Sequence, residues 1–480
     1  MHDTAVDILA RTRHESRPIT ASKIEPNRAI TSAGASSVLA GVAIFFTALL
    51  LRGAWLALIC TQHDDAELLY LAPDCARYVQ IGTHLAGMDY EGPALDWHSG
   101  PIYATPEGSM LWSGPGYGLF LSGYFTLFGT QAWPVLIAQV LLGSVNCVLV
   151  WLLAGRLGLS ARVATIAGTI AALSLTSISL SCMLLTETLF FTLQLTGLLC
   201  WVWALRRNHL GWFVAAALLF GAGTFVRGVT LFWPGVMLLL ALLHPKRDFA
   251  GTRRALIGKT CVAVALMGAM FVGWGFRNYT RHSVFSFSEG GVLAARYFWT
   301  ARTLAGFDPT RNTRAIQEQM EAENMARYGP DGTTFAEHHR DDMAVFTAAL
   351  REHPWPMARR FVKSALQNAT RGSELHVFQL PQFARTWDFL RPIIHKKTGT
   401  VILMLTLIGT ALLIVRPDHR AAGLILLLTY GYFCAISGFE FWQGSRICFP
   451  AQMAWAILSA VVLDRMLSLL VRRSTLAQSH

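Results

Sequence analysis

The first long apolar segment of the chain, SSVLAGVAIFFTALLLRGAWLALIC at residues 36–60, decides the class of fold. It carries one charged residue, Arg52, and it is longer than the about 20 mostly apolar residues that a helix needs to cross a bilayer. Nine later segments resemble it fully or nearly: 131–155, 161–183, 187–205, 210–226, 228–244, 255–275, 399–415, 421–438 and 447–470. With 53% hydrophobic and only 14% charged residues, the sequence predicts an all-α polytopic membrane protein of about ten spans.

The segment GPGYGLFLSGYFTLFG at residues 114–129 is an exception among the apolar stretches. It is short, and Pro115 and several glycines interrupt it. We therefore expect a re-entrant or interfacial helix that returns to the side from which it came. Omitting it from the count of spans places the short loops rich in Lys and Arg on one side, as cytoplasmic loops require. Both termini are then predicted to be cytoplasmic.

This topology divides the chain into five parts. They are a basic cytoplasmic tail at 1–35, a transmembrane catalytic module at 36–275 with a first outer loop at 61–130, a periplasmic helical cap at 276–398, C-terminal transmembrane helices at 399–470 and a cytoplasmic tail at 471–480. Within the cap, helical patterns and the breaks at Gly329-Pro330 and His353-Pro354 predict helices at 311–328, 333–352 and 354–369.

The net charge of +11 comes mostly from the basic tail and loops, which suit anionic lipid headgroups. No basic stretch interleaves with aromatic residues in a soluble region, so nucleic acid is not an expected partner. The eight cysteines lack metal-ligand spacing, although Cys60 and Cys75 could pair on the outer face. The acidic and histidine run at 337–342 points in several directions on a helix. Neither a metal nor another cofactor is therefore expected.

The predicted topology brings several charged side chains to the outer face. The acids are Asp74 in the first outer loop, Glu187 at the start of a span and Glu440 between the last two spans, and the arginines are Arg227, Arg277 and Arg446. Acids beside arginines are typical of a site that handles a phosphate leaving group and a hydroxyl nucleophile. Arginine binds phosphate through its planar donor fork, and a carboxylate can accept the proton of a hydroxyl.

Four stretches in this order resemble a known superfamily: PDCARYVQIGTHL (73–85), GPGYGLFLSGYFTLFG (114–129), LLTETLFFTL (184–193) and GWGFRNYTRHSVFSFSEGG (273–291), with GSRICFP (444–450) as a weaker fifth. The pattern is similar to C-type, polyprenyl-phosphate-dependent glycosyltransferases, the superfamily of protein O-mannosyltransferases and lipid A aminoarabinose transferases. The similarity is strongest to the bacterial glycosyltransferase family 39 type. The resemblance implies the C-type glycosyltransferase fold and a lipid-linked sugar donor.

The resemblance also implies roles for residues. Asp74 matches the catalytic acid of the first outer loop, and Glu187 falls where family members often carry a second acid. Arg277, Arg227, Arg446, Tyr78 and Glu440 are the candidate substrate- and phosphate-binding residues. Two departures stand out, because Cys75 replaces a frequent second acid and Glu187 replaces a common aspartate.

Structural interpretations of the same residues stay open. Asp74 could cap the helix expected at 75–86, and Glu187 could be a first-turn acid that the helix dipole favours. The outer arginines could anchor the protein to lipid headgroups. Arg52 is expected either to pair with an acid of the outer face or to contact substrate, because a charge within a span needs a polar partner.

The sequence as a whole predicts an inverting, metal-independent glycosyltransferase of the bacterial inner membrane with its active site facing the periplasm. A single displacement at the anomeric carbon would invert its configuration. The expected partners are a polyprenyl-phosphate sugar, an extracytoplasmic glycan, lipid or protein acceptor, and membrane lipids. The alternative is a transporter or flippase of lipid-linked sugars, whose usual internal repeats and broken midplane helices are not evident in the sequence.

Overall fold

The computed structural model describes residues 35–93, 95, 101–245, 251–307, 312–328, 334–371, 398–439 and 446–477. By its internal contacts the chain divides into two units, Met1–Ala40 and Gly41–His480, and the described part of the first is the start of one long helix. Throughout the described ranges the regular secondary structure is helical.

The first half of the chain, through the predicted catalytic module, holds twelve of the described α-helices. They are α1 (Ala35–Cys60), α2 (Asp65–Leu68), α3 (Pro73–Leu85), α4 (Pro106–Ser113), α5 (Gly116–Phe128), α6 (Ala132–Arg156), α7 (Ala161–Leu173), α8 (Leu175–Ser181), α9 (Glu187–Arg207), α10 (Leu210–Val226), α11 (Trp233–Leu243) and α12 (Arg253–His282). A short 3₁₀ turn, Pro101–Ala104, precedes α4.

The second half contains the helices of the predicted cap and the last apolar helices. They are α13 (Gly290–Leu293), α14 (Ala301–Leu304), α15 (Thr313–Tyr328), α16 (Phe335–Glu352), α17 (Pro354–Thr370), α18 (Thr398–Ile414), α19 (Arg420–Ile436) and α20 (Gln452–Ala477). A π-helical stretch, Ala294–Thr300, joins α13 to α14. The three helices expected in the cap are thus present as α15, α16 and α17.

Among the described residues, six helical segments have the length and composition to cross a membrane: Ser37–Cys60, Ala132–Arg156, Glu187–Arg207, Arg253–His282, Pro417–Phe439 and Phe449–Arg472. The pair α7 and α8 gives a seventh if both form one span. Three shorter apolar helices, Leu210–Val226, Gly228–Leu243 and Thr398–Ile414, occupy the remaining predicted segments. The prediction of an all-α polytopic membrane protein is confirmed.

One predicted span is not continuous. The segment expected at 161–183 bends by 57° between α7 and α8. Ser174 lies at the break in an extended conformation, and its side chain accepts a hydrogen bond from the backbone N–H of Ser177. A serine that replaces a helical hydrogen bond in this way lets one helix end and the next begin.

The buried guanidinium of Arg52 lies at this break. It donates hydrogen bonds to the Ser177 hydroxyl at 2.7 Å and to the backbone carbonyl of Ala172 at 3.5 Å. The expectation that Arg52 pairs with an acid is therefore not met by its described hydrogen bonds, which go to a hydroxyl and to carbonyls. Because a kinked helix exposes carbonyls without helical partners, a buried cation can satisfy them instead.

The helix α5 confirms a short separate helix within the predicted segment 114–129. Its 13 residues span about 20 Å, which is less than the about 30 Å of a hydrocarbon core. Gly114 and Gly129 flank it with φ values of 82° and 73°, a backbone conformation that glycine adopts without strain.

Helix α3 packs closely against α5 through a glycine. A Cβ atom added at Gly118 of α5 would lie 2.1 Å from Cγ2 of Ile81 in α3. The close approach fixes α3 in place, and α3 carries Asp74 in its first turn.

The substitution Gly118→Ala should therefore destabilise the protein. We expect a loss of about 1–3 kcal/mol, as for other overpacked contacts. Gly123→Ala on the same helix is the matched control, because nothing lies within 4 Å of its added Cβ. That change should be neutral or stabilise by up to about 1 kcal/mol, since alanine favours a helix. Thermal unfolding of both purified variants measures the difference, and equal Tm values would contradict the packing argument.

Candidate active site

Asp74 lies in the first turn of α3 and is partly open to solvent. The helix begins at Pro73 with Ala72 as its N-cap residue, so Asp74 is not the capping residue that one interpretation of the sequence required. Pro73 suits this position because the first helical residue has no hydrogen-bonded N–H to lose. One third of the Asp74 side chain (34%) is exposed, whereas the following residues of α3 are buried. A ligand can therefore reach this carboxylate.

Glu187 opens α9 and is completely buried. Its Oε1 accepts hydrogen bonds from Nη1 of Arg227 at 2.7 Å and from Nε of Arg446 at 2.8 Å. The hydroxyl of Thr186 donates to Oε2 at 3.2 Å. A buried carboxylate is very costly without such partners, and here two cations share it.

Arg446 joins the two acids. Its Nη2 donates to Oδ2 of Asp74 while its Nε donates to Glu187. The connected set Asp74, Arg446, Glu187 and Arg227, which we call the acid–arginine chain, thus brings together α3, the segment before α20, the start of α9 and the turn after α10. Asp74 and Arg446 are 372 positions apart in the sequence. Four of the seven predicted site residues therefore meet.

The pKa of Asp74 reflects two opposing effects. Burial raises it, but the charge and hydrogen bond of Arg446, assisted by the charge of Arg77, outweigh burial and bring the pKa below its usual 3.8. Asp74 is consequently ionised at neutral pH. Because it is held by a cation, it binds a proton less readily than a free carboxylate does.

Tyr78 lies one turn after Asp74 and is buried. Its ring meets that of Tyr117 edge to face, with centroids 5.1 Å apart, and the hydroxyl of Tyr117 donates to Oε1 of Gln139 at 2.9 Å. Burial, with the nearby charges of Asp74 and Glu187, raises the pKa of Tyr78. The phenol is therefore neutral beside the acid–arginine chain, where the sequence predicted a substrate-binding residue.

Arg77 was missed by the sequence analysis. It is buried, and its guanidinium lies 3.8 Å from the centroid of the Trp112 ring. Burial lowers its pKa to about 10, so it remains charged at neutral pH and adds a third arginine near Asp74. Its position three residues after Asp74 on a helix was the available signal, since such residues share a face.

Arg277 is placed in a separate cluster. Its Nη2 donates to Oε2 of Glu107 at 2.7 Å, and Arg281 and His282 contact the same carboxylate at 3.1 and 3.4 Å. The guanidinium also lies 4.8 Å from the centroid of the Trp274 ring. None of the described ion pairs of Arg277 involves Asp74 or Glu187, so the predicted grouping of three arginines is not seen.

The other sequence-level candidates have different outcomes. Glu440 lies outside the described residues. In the run at 337–342, Asp342 pairs with the buried Arg296, and Asp341 pairs with Arg327 at 2.8 Å. His339 instead lies 2.8 Å from Glu289. These side chains diverge to different partners, as their spacing on a helix indicated.

The acid–arginine chain can perform specific chemistry. Arg446 lies beside the partly exposed carboxylate of Asp74 and shares the buried Glu187 with Arg227. The charge of Arg77, which also acts on Asp74, gives the group a surplus of positive charge. Guanidinium groups bind phosphate with charge-assisted hydrogen bonds. A carboxylate next to such a phosphate site can orient a nucleophile or accept its proton.

Comparison with known families gives a match over part of the chain. Residues 113–274 match the family of dolichyl-phosphate-mannose-protein mannosyltransferases. The match includes Glu187 and Arg227 of the acid–arginine chain. The resemblance to polyprenyl-phosphate-dependent glycosyltransferases that the sequence indicated is thereby confirmed. No curated protein sequence matches the chain.

The fold is similar to that of a solved structure. The archaeal oligosaccharyltransferase AglB from Archaeoglobus fulgidus, in complex with an inhibitory peptide and a dolichol-phosphate, aligns with a TM-score of 0.51 and 14% identity over 92% of this chain and 52% of its own. The present chain thus spans about half the length of that protein. ArnT from Cupriavidus metallidurans in the apo state aligns with a TM-score of 0.38 and 14% identity over 90% and 78% of the two chains.

Removal of the Glu187 charge should be strongly destabilising. Glu187→Gln leaves Arg227 and Arg446 without their shared buried anion, which typically costs about 3–5 kcal/mol. Glu107→Gln is the control, because Glu107 also pairs with arginines but is one third exposed. Loss of the Glu107 charge should lower the free energy of unfolding by about 1 kcal/mol or less. Thermal unfolding in detergent compares them, and a Tm loss of similar size in both would show that burial of Glu187 is unimportant.

The ion pair of Asp74 should have a defined pH dependence. A carboxyl with a lowered pKa in the folded protein adds stability above its usual value of 3.8, and this stability is lost as the pH falls through the folded value. The Tm difference between wild type and Asp74→Asn should thus be constant from pH 7 to about pH 5 and shrink only in more acidic buffer. A difference that already disappears between pH 7 and about pH 5 would indicate a raised pKa instead.

Proposed function

We propose that this protein is a membrane glycosyltransferase that moves a sugar from a polyprenyl-phosphate donor to an acceptor outside the cytoplasm. The observation that carries the proposal is the acid–arginine chain, in which a partly exposed carboxylate and two arginines meet at one place. The family match over residues 113–274 and the fold shared with half of AglB support it. The AglB complex contains a dolichol-phosphate, a lipid of the proposed donor class.

The reaction would be one displacement at the anomeric carbon. The bond between that carbon and the phosphate oxygen breaks, and its electron pair leaves with the polyprenyl phosphate. The acceptor oxygen attacks from the opposite face, so the configuration inverts, with oxocarbenium character in the transition state. The developing negative charge on the phosphate needs cations more than a proton, and Arg227 and Arg446 would supply them.

Asp74 and Glu187 would have different roles. Asp74 is exposed enough to contact the acceptor, and it would accept the hydroxyl proton or, for a phosphate acceptor, orient the group without deprotonation. Glu187 is fully buried behind the two arginines. It would therefore act as a positioning residue that sets their geometry, whereas the sequence suggested a second catalytic acid.

The proposed setting is the bacterial inner membrane, with both termini in the cytoplasm and the site facing the periplasm. The acceptor would be a glycan, lipid or protein of that compartment. The step as written requires no divalent metal, since arginines neutralise the leaving group. Arg277 and Tyr78 remain proposed contacts to the donor or acceptor, Arg277 through its cluster with Glu107.

One feature favours a transporter of lipid-linked sugars as the second candidate. Transporters often contain broken helices, and α7 and α8 form such a break. The guanidinium of Arg52 and the hydroxyl of Ser177 occupy it, however, and both are buried. The break is thus satisfied by the protein itself, which makes a substrate site there the weaker explanation.

The test is a transfer assay with wild type and Asp74→Asn in lipid vesicles. A panel of polyprenyl-phosphate sugars and an extracytoplasmic acceptor fraction are supplied, and release of polyprenyl phosphate is followed. Loss of the carboxylate should slow release by about 10²–10⁴-fold, the usual contribution of a general base. Asp418→Asn, a change of an exposed acid between α18 and α19, should have wild-type rates.

The other outcomes distinguish the hypotheses. Equal release by wild type and Asp74→Asn would return Asp74 to a structural role. Movement of the donor across the bilayer without cleavage would establish the transporter. The variant must first show a wild-type gel-filtration profile, so that loss of activity is not loss of folding.

A further inference from the structure

The two acids of the acid–arginine chain are held unequally. Glu187 is shared by Arg227 and Arg446, whereas in the described part of the chain both the hydrogen bond and the ion pair of Asp74 come from Arg446. If Nη2 of Arg446 takes another partner, Glu187 keeps Nε of Arg446 and also Arg227 at 2.7 Å. Among the described residues, the other cation that acts on Asp74 is Arg77. A change of partner at Nη2 of Arg446 therefore releases Asp74 selectively.

Arg446 divides one edge of its guanidinium between the two acids. Nε donates to Glu187 at 2.8 Å and Nη2 donates to Asp74. A bidentate phosphate uses two neighbouring N–H groups of such a planar fork. A phosphate that takes the Nη2 group of Arg446 must therefore compete with Asp74. The same contact that would bind the donor thus restrains the carboxylate that the reaction needs.

The exposed fractions of the three side chains indicate which ion pair an incoming phosphate reaches first. The Asp74 side chain is 34% exposed and the Arg446 side chain 10%, while Glu187 is 0% exposed. An approaching anion meets the Asp74–Arg446 pair before it meets the Arg446–Glu187 pair. Because Glu187 has no exposed surface, its hydrogen bond at Nε can keep Arg446 in place while Nη2 changes partner.

We propose that Arg446 is a donor-operated latch, which holds Asp74 in the ligand-free protein and releases it when the phosphate of the donor takes its Nη2 group. This inference rests on the proposed function. It makes donor binding the event that activates Asp74 toward the acceptor. The acceptor hydroxyl then meets a free carboxylate only when a donor is in place.

The charges balance through the cycle. The donor is a phosphodiester with one negative charge, and cleavage of the bond to the anomeric carbon leaves a phosphomonoester that can carry two. The acceptor oxygen forms the new bond and its proton passes to Asp74. Arg446 consequently binds the phosphate more strongly as the reaction proceeds, which is the condition for transition-state stabilisation. When the product leaves, Arg446 returns to Asp74 and the proton passes to water.

The latch is tested by proton uptake on binding of a polyprenyl methyl phosphodiester. This probe resembles the donor but lacks a sugar, and its charge does not change in the relevant range of pH. Among the described residues, the charged and titratable groups that act on Asp74 are Arg446, Arg77, Glu187, Cys75 and Tyr78. If Asp74 loses Arg446, its proton affinity rises, because burial then opposes the charge. Titration calorimetry at about pH 5, in buffers of different ionisation enthalpy, measures the protons taken up.

Wild type should take up a measurable fraction of a proton, and Asp74→Asn should bind the probe with none. Arg446→Gln should also lose the uptake, because its Asp74 is already free before binding. It should also lose about 10²-fold in kcat. Arg162→Gln is the matched control, because Arg162 pairs with Asp464 at 3.1 Å between α7 and α20. It should show the wild-type uptake and rate.

Two results would overturn the latch, and they differ in what they say about the proposed function. Tight binding of the probe by wild type without proton uptake would reject the latch and leave the phosphate site in place. The same conclusion follows if Asp74→Asn takes up as many protons as wild type. Failure of the folded wild type to bind any polyprenyl phosphodiester would reject the proposed donor and the latch with it.

Discussion

The candidate site depends on the burial of one negative charge. Glu187 has no exposed surface, and an ion in such a place loses several kcal/mol of hydration that only close cations can replace. The requirement brings Arg227 from the turn after α10 and Arg446 from the segment before α20 to the same oxygen. Arg446 in turn reaches Asp74. The arginine that neutralises the buried Glu187 therefore also holds the partly exposed carboxylate of Asp74.

Contacts with neighbouring helices position α3 and the loop that precedes it. Gly118 allows α5 to approach α3, and the Asp65 carboxylate accepts hydrogen bonds from the backbone N–H groups of Ala132 and Trp133 at 3.2 Å, which ties the first outer loop to the start of α6. Anions favour a helix N-terminus because its first N–H groups have no helical partner. The loop that carries Asp74 is thus fastened on both sides.

The family match and the site overlap only in part. Residues 113–274 carry Glu187 and Arg227, whereas Asp74 precedes this range and Arg446 follows it. The matched range thus supplies the buried acid and one arginine, and the flanking parts supply the exposed acid and the arginine that joins the two. A phosphate ligand at these arginines would change the partners of Asp74 without leaving Glu187 uncompensated. In the proposed latch, this geometry couples binding of the lipid phosphate to release of the Asp74 carboxylate.

The sequence by itself determined the helical membrane fold and the candidates Asp74 and Glu187. Long apolar segments leave a backbone few alternatives to helix in a membrane, and ordered motifs located the acids. Only the tertiary structure decided which arginines join them. Arg446 contacts Asp74 although the two residues are 372 positions apart, and such a contact depends on how the helices pack. Arg277 instead pairs with Glu107 in another cluster. The break at Ser174 could not be predicted from its own segment either. Arg52 from a different helix stabilises it through hydrogen bonds to the Ala172 carbonyl and the Ser177 hydroxyl. Hydropathy describes one segment at a time. The contacts of Arg446 and the break at Ser174 depend on how two segments pack together, so hydropathy cannot predict them.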